Sequence, residues 1–343
     1  MKPYAEVSSR VADQVLPLLA QRPREILKLV EPGTWEKVEE IRLREGGALH
    51  LCWSGGEILL SPQGEPVERA RAYRVNLEDI NLTLQLISNC SLYAFEEELR
   101  RGYLTVPGGH RVGLSGKAVL DKGSIKVLRH ISSLNFRVAR EVKGIAEKVL
   151  PYLVSPREKK VFSTLVVSPP QAGKTTLLRD MTRCLSRGGI PPGFPGAKVG
   201  LVDERSEIAG CFEGSPQLDV GWRTDVLDGA PKGEGMLLLL RSMSPEVVVT
   251  DEIGREEDAV ALEEMMHAGV SVLSSAHASR PEELYRRPCI KRLLERSVFG
   301  RLLVLSCRKG AGTVEYILEP SSGKYLFRGN ARAGGGERSC RTR

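Results

Sequence analysis

At 343 residues the chain is long enough for two domains of ordinary size, each burying its own core. Its 41% apolar and 27% charged residues exclude a disordered or fibrous chain, and no run approaches the roughly 20 consecutive apolar residues that a membrane-spanning helix needs. The net charge of +7 is compatible with nucleic acid, anionic lipid or nucleotide and chooses among none of them.

The opening Met1-Lys2-Pro3-Tyr4-Ala5-Glu6 has no apolar signal core, which predicts a cytoplasmic protein. From Val11 to Leu29 apolar residues recur near helical spacing, interrupted by Pro17 and Pro23, and predict short helices. Glu40-Ile41-Arg42-Leu43-Arg44 and Leu49-His50-Leu51-Cys52-Trp53 alternate, with Gly46-Gly47 between them and Ser54-Gly55-Gly56 as a turn, so a β-hairpin or meander follows. Helix is predicted again over 77–87, where Leu77, Ile80, Leu84 and Ile87 form one stripe, and around Tyr93 to Leu99 behind Ser91 as a cap. The stretches from Gly102 to Val106 and from Arg111 to Gly116 read as strands joined by a turn at Pro107-Gly108-Gly109.

To about Arg140 the chain therefore mixes short helices with antiparallel strands, whereas from Phe162 onward buried strands alternate with helices. This predicts an α+β domain at 1–140, a linker at 141–160, an α/β domain at 161–327 and a disordered basic tail at 328–343. Seven cysteines, an odd number with no Cys-x-x-Cys pair, suggest neither a disulfide framework nor a zinc site and read as reduced thiols.

In the second domain Thr164-Leu165-Val166-Val167 is a buried strand, Ser168 to Thr176 a tight loop and Leu177-Leu178-Arg179-Asp180-Met181 the start of a helix, the context of a phosphate-binding P-loop. Pro170, Gln171, Ala172, Gly173, Lys174, Thr175 and Thr176 are the candidate nucleotide-binding residues. Loop N–H groups and the helix N-terminus hold phosphate oxygens, Lys174 adds a point charge, and the Thr175 hydroxyl can ligate Mg²⁺. The usual pattern G-x-x-x-x-G-K-[ST] has glycine where this chain has Ser168. If that position needs a positive φ, serine there costs about 1 kcal/mol.

A Gly-Lys-Thr arises easily by accident, but a second half supports this one. Glu246-Val247-Val248-Val249-Thr250-Asp251-Glu252 is a β-branched strand ending in two carboxylates, like a Walker B element. Asp251 would hold Mg²⁺, and Glu252 would orient or deprotonate the attacking water. Val199-Gly200-Leu201-Val202 runs into Asp203-Glu204-Arg205-Ser206-Glu207, where Glu204 is a candidate second metal or water contact. The stretch from Val270 to Ala276 delivers His277 to the end of a fourth strand, where an imidazole can contact a γ-phosphate and report its loss.

These residues carry a resemblance. Pro169-Pro170-x-x-Gly173-Lys174-Thr175-Thr176-Leu177-Leu178-Arg179-Asp180, Val202 to Ala209, Arg223-Thr224-Asp225-Val226-Leu227-Asp228, Met243-Ser244-Pro245, Asp251-Glu252-Ile253-Gly254 and Ala276-His277-Ala278 resemble the stage III sporulation protein AA family, within the type II and type IV secretion (traffic) ATPases. Glu40 to Arg44 and the segment from Gly102 to Gly113 extend the likeness to roughly residues 10 to 325. The resemblance implies an α/β protein with a RecA-like P-loop NTPase core and a smaller α+β N-terminal domain, using ATP and Mg²⁺. It also implies homo-hexameric rings, peripheral at the inner face of a membrane, that act on a membrane-embedded secretion or sporulation channel. In such rings an arginine from a neighbouring subunit or the N-terminal domain completes each site, and Arg137, Arg140 and Arg223 are the candidates here.

The leading expectation is thus a motor ATPase. A nucleic-acid-binding RecA-like NTPase is the alternative, but there is no RNP motif and aromatics are only 5%, so no nucleic-acid partner is expected. A nucleotide-gated scaffold that binds ATP without turnover is the third reading.

Overall fold

In the computed structural model, which describes residues 4–88, 102–121, 123–278 and 280–329, the chain forms two compact units, Met1–Arg140 and Glu141–Arg343. The first contains β1 (Glu40–Arg44), β2 (His50–Trp53), β3 (Gly56–Leu60), β4 (Pro66–Val67), β5 (Tyr103–Val106), β6 (His110–Asp121) and β7 (Ser124–Arg137). They form one antiparallel sheet in the order β4-β3-β2-β1-β7-β6-β5. Its helices are α1 (Tyr4–Val15), α2 (Gln21–Lys28), α3 (Pro32–Trp35) and α4 (Leu77–Ile87).

Alternation along β1 buries Ile41 and Leu43 opposite Phe136 and Leu134 of β7 and turns Glu40, Arg42 and Arg44 to the other face. The apolar face meets Val11, Val15, Ile26, Leu27, Ile80 and Leu84 of the helices. The predicted helix over 77–87 begins on a capping box: the Asn76 side chain accepts the Asp79 N–H at 2.8 Å, and the Asp79 carboxylate accepts the Asn76 N–H at 3.0 Å. β7 is an element the pattern does not reveal, because only Ile131, Leu134 and Phe136 of its fourteen residues are buried. The short helix predicted around Tyr93 to Leu99 lies outside the described residues.

The second unit contains a two-stranded sheet, β8 (Val154–Ser155) with β9 (Lys160–Val161), and the strands β10 (Thr164–Ser168), β11 (Val199–Asp203), β12 (Thr224–Asp228), β13 (Val247–Glu252), β14 (Ser271–His277), β15 (Arg301–Ser306), β16 (Thr313–Glu319) and β17 (Lys324–Arg328). These last eight form one sheet in the order β12-β11-β13-β14-β10-β15-β16-β17, parallel as far as β15 and antiparallel beyond it. Its helices are α5 (Leu150–Leu153), α6 (Lys174–Arg187), α7 (Lys232–Met243), α8 (Glu256–His267) and α9 (Pro288–Glu295). On one face Val166 belongs to a core with Leu177, Leu178 and Met181 of α6. On the other, Leu165 and Val167 belong to a core with Met236 and Leu239 of α7, Leu262 and Met265 of α8, and Leu293 of α9. Covering both faces is why the parallel strands read as continuous apolar runs.

Residues 141–160, predicted as a linker, belong to this core. Ala146, Val149, Leu150, Leu153 and Val154 are buried in it, and the Ala146 N–H donates to Asp180 Oδ2 at 2.8 Å. Asp180 is itself held by Arg183 of the same helix at 2.7 Å, so the carboxylate that accepts from the segment is fixed in place. The basic tail predicted at 328–343 falls outside the described residues except for Arg328 and Gly329. Cys52, Cys184, Cys211 and Cys289 are free thiols. Among the described residues no helix is long and apolar enough to cross a membrane.

His110 ties the first unit together in its neutral form. Its Nδ1 accepts the Ala139 N–H at 3.0 Å, so the proton sits on Nε2, which faces Gln14 Oε1 at 3.2 Å. Burial, with Arg140 and Arg10 nearby, pushes its pKa down from 6.5 to about 4. A histidine with a depressed folded pKa binds fewer protons than the unfolded chain, so its contribution is present above 6.5 and is lost as the pH falls toward about 4. Denaturant unfolding of the first unit between those values should show a loss on the order of 3 kcal/mol from this group, and His110→Asn should flatten that slope.

Candidate active site

The parallel strands of the second unit all end at one edge, bringing Ser168, Asp203, Asp228, Asp251, Glu252 and His277 to it. This is the edge where ligands of open α/β sheets bind. The loop from Ser168 leads into α6, whose N-cap Gly173 is left-handed with φ 87° and ψ 17°. A Cβ at Gly173 would stand 3.0 Å from the backbone nitrogen of Gly312, whose N–H donates to the Ala172 carbonyl at 2.9 Å. Glycine is therefore required there twice, by backbone conformation and by the close approach of the β15–β16 turn.

Ser168 is the correction that the geometry forces. It is the buried last residue of β10, paired with His277, and its φ is not positive, so serine there carries no strain. The left-handed residue of the loop, apart from Gly173, is Gln171 with φ 60°. The Ser168 hydroxyl is instead a partner of Lys174 Nζ at 3.2 Å and donates to the Pro169 carbonyl at 2.8 Å.

Lys174, in the first turn of α6, is 8% exposed. Its ammonium faces the Ser168 and Pro169 carbonyls at 3.3 and 3.1 Å and His277 Nδ1 at 2.7 Å. Burial pushes its pKa down to about 8. An ammonium can only donate, so Nδ1 of His277 accepts, and the neutral ring carries its proton on Nε2. That N–H meets Glu252 Oε2 at 2.9 Å. Burial and the charge of Lys174 hold the His277 pKa below its usual value, against the pull of Glu252, which keeps this tautomer in place. His277 thus bridges the loop lysine and the second carboxylate of β13.

Asp251 is buried beside it, with its carbonyl accepting the Ser274 hydroxyl at 2.7 Å. Lys232 Nζ lies 3.2 Å from Asp251 Oδ1 and is ion-paired with Glu204. That oxygen is buried, and the Lys232 ammonium is its neighbour. Burial raises the Asp251 pKa to about 6 even so. For Glu204, burial opposes ionisation and the hydrogen bond and charge of Lys232 overcome it, so its pKa is lowered.

The Asp251 carboxylate, with the half-buried Thr175 hydroxyl on the first turn of α6, offers oxygen donors of the kind a hard cation takes. Lys232, which the sequence reading misses, is signalled only by its place as the first residue of a helix that follows the acidic end of β12. Asp203 is structural: its carboxylate accepts the N–H groups of Glu207, Ile208 and Ala209 at 2.8, 2.9 and 2.8 Å. Arg179 of α6 binds the carbonyls of the same loop, Glu207 at 2.6 Å and Ile208 at 2.5 Å.

The loop residues Pro170 to Thr176 and the side chains of Glu252, Asp251, Glu204 and His277 therefore share one edge, and within the same unit Arg223 does not join them. Arg140 donates to the Trp35 and Val38 carbonyls at 2.8 and 2.7 Å within the first unit, and Arg137 ends β7 there, exposed. Arg223 donates to the Ser186 carbonyl at 2.7 Å at the far end of α6, about 20 Å of helix away from the loop.

Ser168→Gly should destabilise the second unit by about 0.5–1 kcal/mol, the usual penalty of glycine inside a strand. Gln171→Gly should be neutral or stabilising by up to about 1 kcal/mol because it relieves a left-handed side chain. Thermal unfolding of the two variants checks both signs.

The family described as Sporulation stage III, protein AA, matches residues 9–325. Over 316 residues the chain is 45% identical to stage III sporulation protein AA of Bacillus subtilis (strain 168), covering 92% of this chain and 97% of that protein. Among solved structures, the Legionella pneumophila ATPase DotB is similar with a TM-score of 0.51 at 14% identity, over 78% of this chain and 72% of that one. The pilus retraction motor PilT, solved with bound ADP, gives 0.50 at 13% identity over 85% and 77%. Likeness at such identities concerns the fold, which is α/β with a RecA-like P-loop NTPase core and a smaller α+β N-terminal unit. By sequence along nearly its whole length, the chain belongs to the sporulation stage III protein AA family.

Proposed function

We propose that this chain binds and hydrolyses ATP and that, as a homo-hexamer at the inner face of a membrane, it energises a membrane-embedded channel during sporulation. The observation that carries the reading is the run of contacts from Lys174 through His277 to Glu252, which joins the phosphate loop to a carboxylate able to handle water. The family supports the sporulation setting, and the fold shared with a pilus retraction motor and DotB supports the motor role.

In this reading the N-terminus of α6 and the loop N–H groups hold the phosphates, and Lys174 exchanges its carbonyl and imidazole partners for phosphate oxygens. Thr175 and Asp251 would hold Mg²⁺, a fit supported by their oxygen donors and by the acid's place at the end of β13; when bound, the ion would neutralise phosphate charge. Glu252 has one carboxylate oxygen on the His277 N–H, and the other is available to orient water and take its proton. His277 contacts both groups, so a shift of Lys174 toward phosphate changes the hydrogen bonding of Glu252. Lys232 keeps Glu204 and Asp251 compensated in the buried site.

Glu252→Gln should retain ATP binding and lose phosphate release by at least about 10²-fold, whereas Lys174→Ala should lose binding with the fold intact. Equal and negligible phosphate release by wild type and Glu252→Gln would overturn the motor reading in favour of a binding scaffold. The affinity for ATP should fall as the pH is raised from neutrality through about 8, because the Lys174 ammonium then loses its proton. Calorimetric titration across that range measures it.

A further inference from the structure

We propose that the first unit carries a binding site for a divalent transition-metal ion of the zinc type, made by His50 Nε2, Cys52 Sγ and Glu57 Oε2. The site is independent of the nucleotide site, and its place follows from the hairpin of β2 and β3. Successive side chains of a strand alternate between faces, so His50 and Cys52, two residues apart, share one. Glu57 of β3 is the direct cross-strand partner of Cys52. The register is fixed by a two-residue turn, Ser54-Gly55, with Gly55 at φ 89° and Trp53 paired with Gly56. The three side chains lie on the face of the sheet opposite Leu51 and Ile41, away from the apolar core.

Their donor atoms converge. His50 Nε2 is 3.0 Å from Glu57 Oε2 and 3.2 Å from Cys52 Sγ, and all three atoms lie within 4.8 Å of one another. Among the described residues they are the one group of histidine, cysteine and carboxylate side chains that meets this spacing. Ordinary Zn–N, Zn–S and Zn–O lengths around a tetrahedron separate neighbouring ligands by roughly 3.3–3.8 Å. Accepting an ion therefore needs the two His50 distances to lengthen by a few tenths of an ångström. Glu57, 70% exposed at the solvent side, can supply it, whereas His50 is only 14% exposed and fixed by packing.

Without an ion, the His50 Nε2–H is shared between two acceptors, the Glu57 carboxylate and the Cys52 sulfur, so all three donor atoms already face one point. A cation at the centre of the three atoms satisfies all of them, with nitrogen, thiolate sulfur and carboxylate oxygen as a zinc-compatible donor set. Imidazole, thiolate and carboxylate together balance a dication. The nearest cation on β1, Arg42, is engaged by Glu40 at 2.5 Å. Three protein ligands leave the fourth position to water on the exposed side. The sequence arrangement His-x-Cys-x₄-Glu is not a familiar zinc spacing, because its third ligand is placed by a turn rather than by a second cysteine pair.

The test uses the full chain without an affinity tag, stripped with a chelator and titrated with Co²⁺ and then Zn²⁺. One equivalent of Co²⁺ should produce a thiolate-to-metal charge-transfer band that Zn²⁺ abolishes. Cys52→Ser should remove the band. His50→Gln and Glu57→Gln, with unchanged far-UV circular dichroism, should each weaken Zn²⁺ binding by more than the roughly 10–100-fold that loss of an outer-shell partner costs. A wild-type protein without the band, or a band that survives in Cys52→Ser or in the folded His50→Gln variant, would overturn the proposal. Co²⁺ bound at Thr175 and Asp251 would give no thiolate band, so the two sites are told apart by the spectrum.

Discussion

Because β14 lies between β10 and β13, whatever ends β14 stands between the phosphate loop and the acidic strand. The residue is His277, in register with Ser168 on one side and close to Glu252 on the other. The lysine charge on Nδ1 fixes the imidazole tautomer, and the tautomer fixes what Glu252 receives. Remove the intervening strand and the two halves of the site have no polar connection through the sheet. The rest of the second unit holds these strand ends level: α6 packs on one face, α7 to α9 on the other, and Arg179 with Asp203 ties the intervening acidic loop to α6.

The two units solve the problem of sheet burial differently, and their chemistry follows from that. A parallel sheet covered on both faces has polar side chains only at its ends, so the second unit gathers its reactive groups along one edge. The antiparallel sheet of the first unit buries one face and leaves the other free for polar residues, so its reactive groups lie on a surface. The Glu40–Arg42 pair and the convergence of His50, Cys52 and Glu57 are on that open face.

Much of this was legible in the residues. Strands at 164, 199, 247 and 271 announce themselves through β-branched runs, and Gly173, Lys174, Asp251, Glu252 and His277 fall at their ends by sequence alone. What periodicity could not supply was strand order, and with it the contact of His277 with both Lys174 and Glu252, since order is a property of long-range pairing. Lys232 is hidden for the same reason: its partners, Glu204 and Asp251, end strands on different parts of the chain. Residues 141–160 read as a linker because the helix-like stretch from Ile145 to Leu150 is short and runs into the polar Ser155 to Lys160, yet its apolar side chains share a core with α6. β7 escaped notice because its alternation, Ile125 with Val127 and Leu134 with Phe136, is interrupted by Leu128 and by Ser132-Ser133.

The serine at the head of the loop before α6 bears on how such loops are recognised at all. In this chain the position ends a strand without a positive φ, and its hydroxyl sits beside the lysine, so glycine is not a stereochemical need there. The need lies at Gly173, where the backbone is left-handed and a turn from β15–β16 leaves no room for a Cβ. Searches that weighted each position by its dihedral demand, rather than by letter frequency, would keep chains like this one that a strict motif discards.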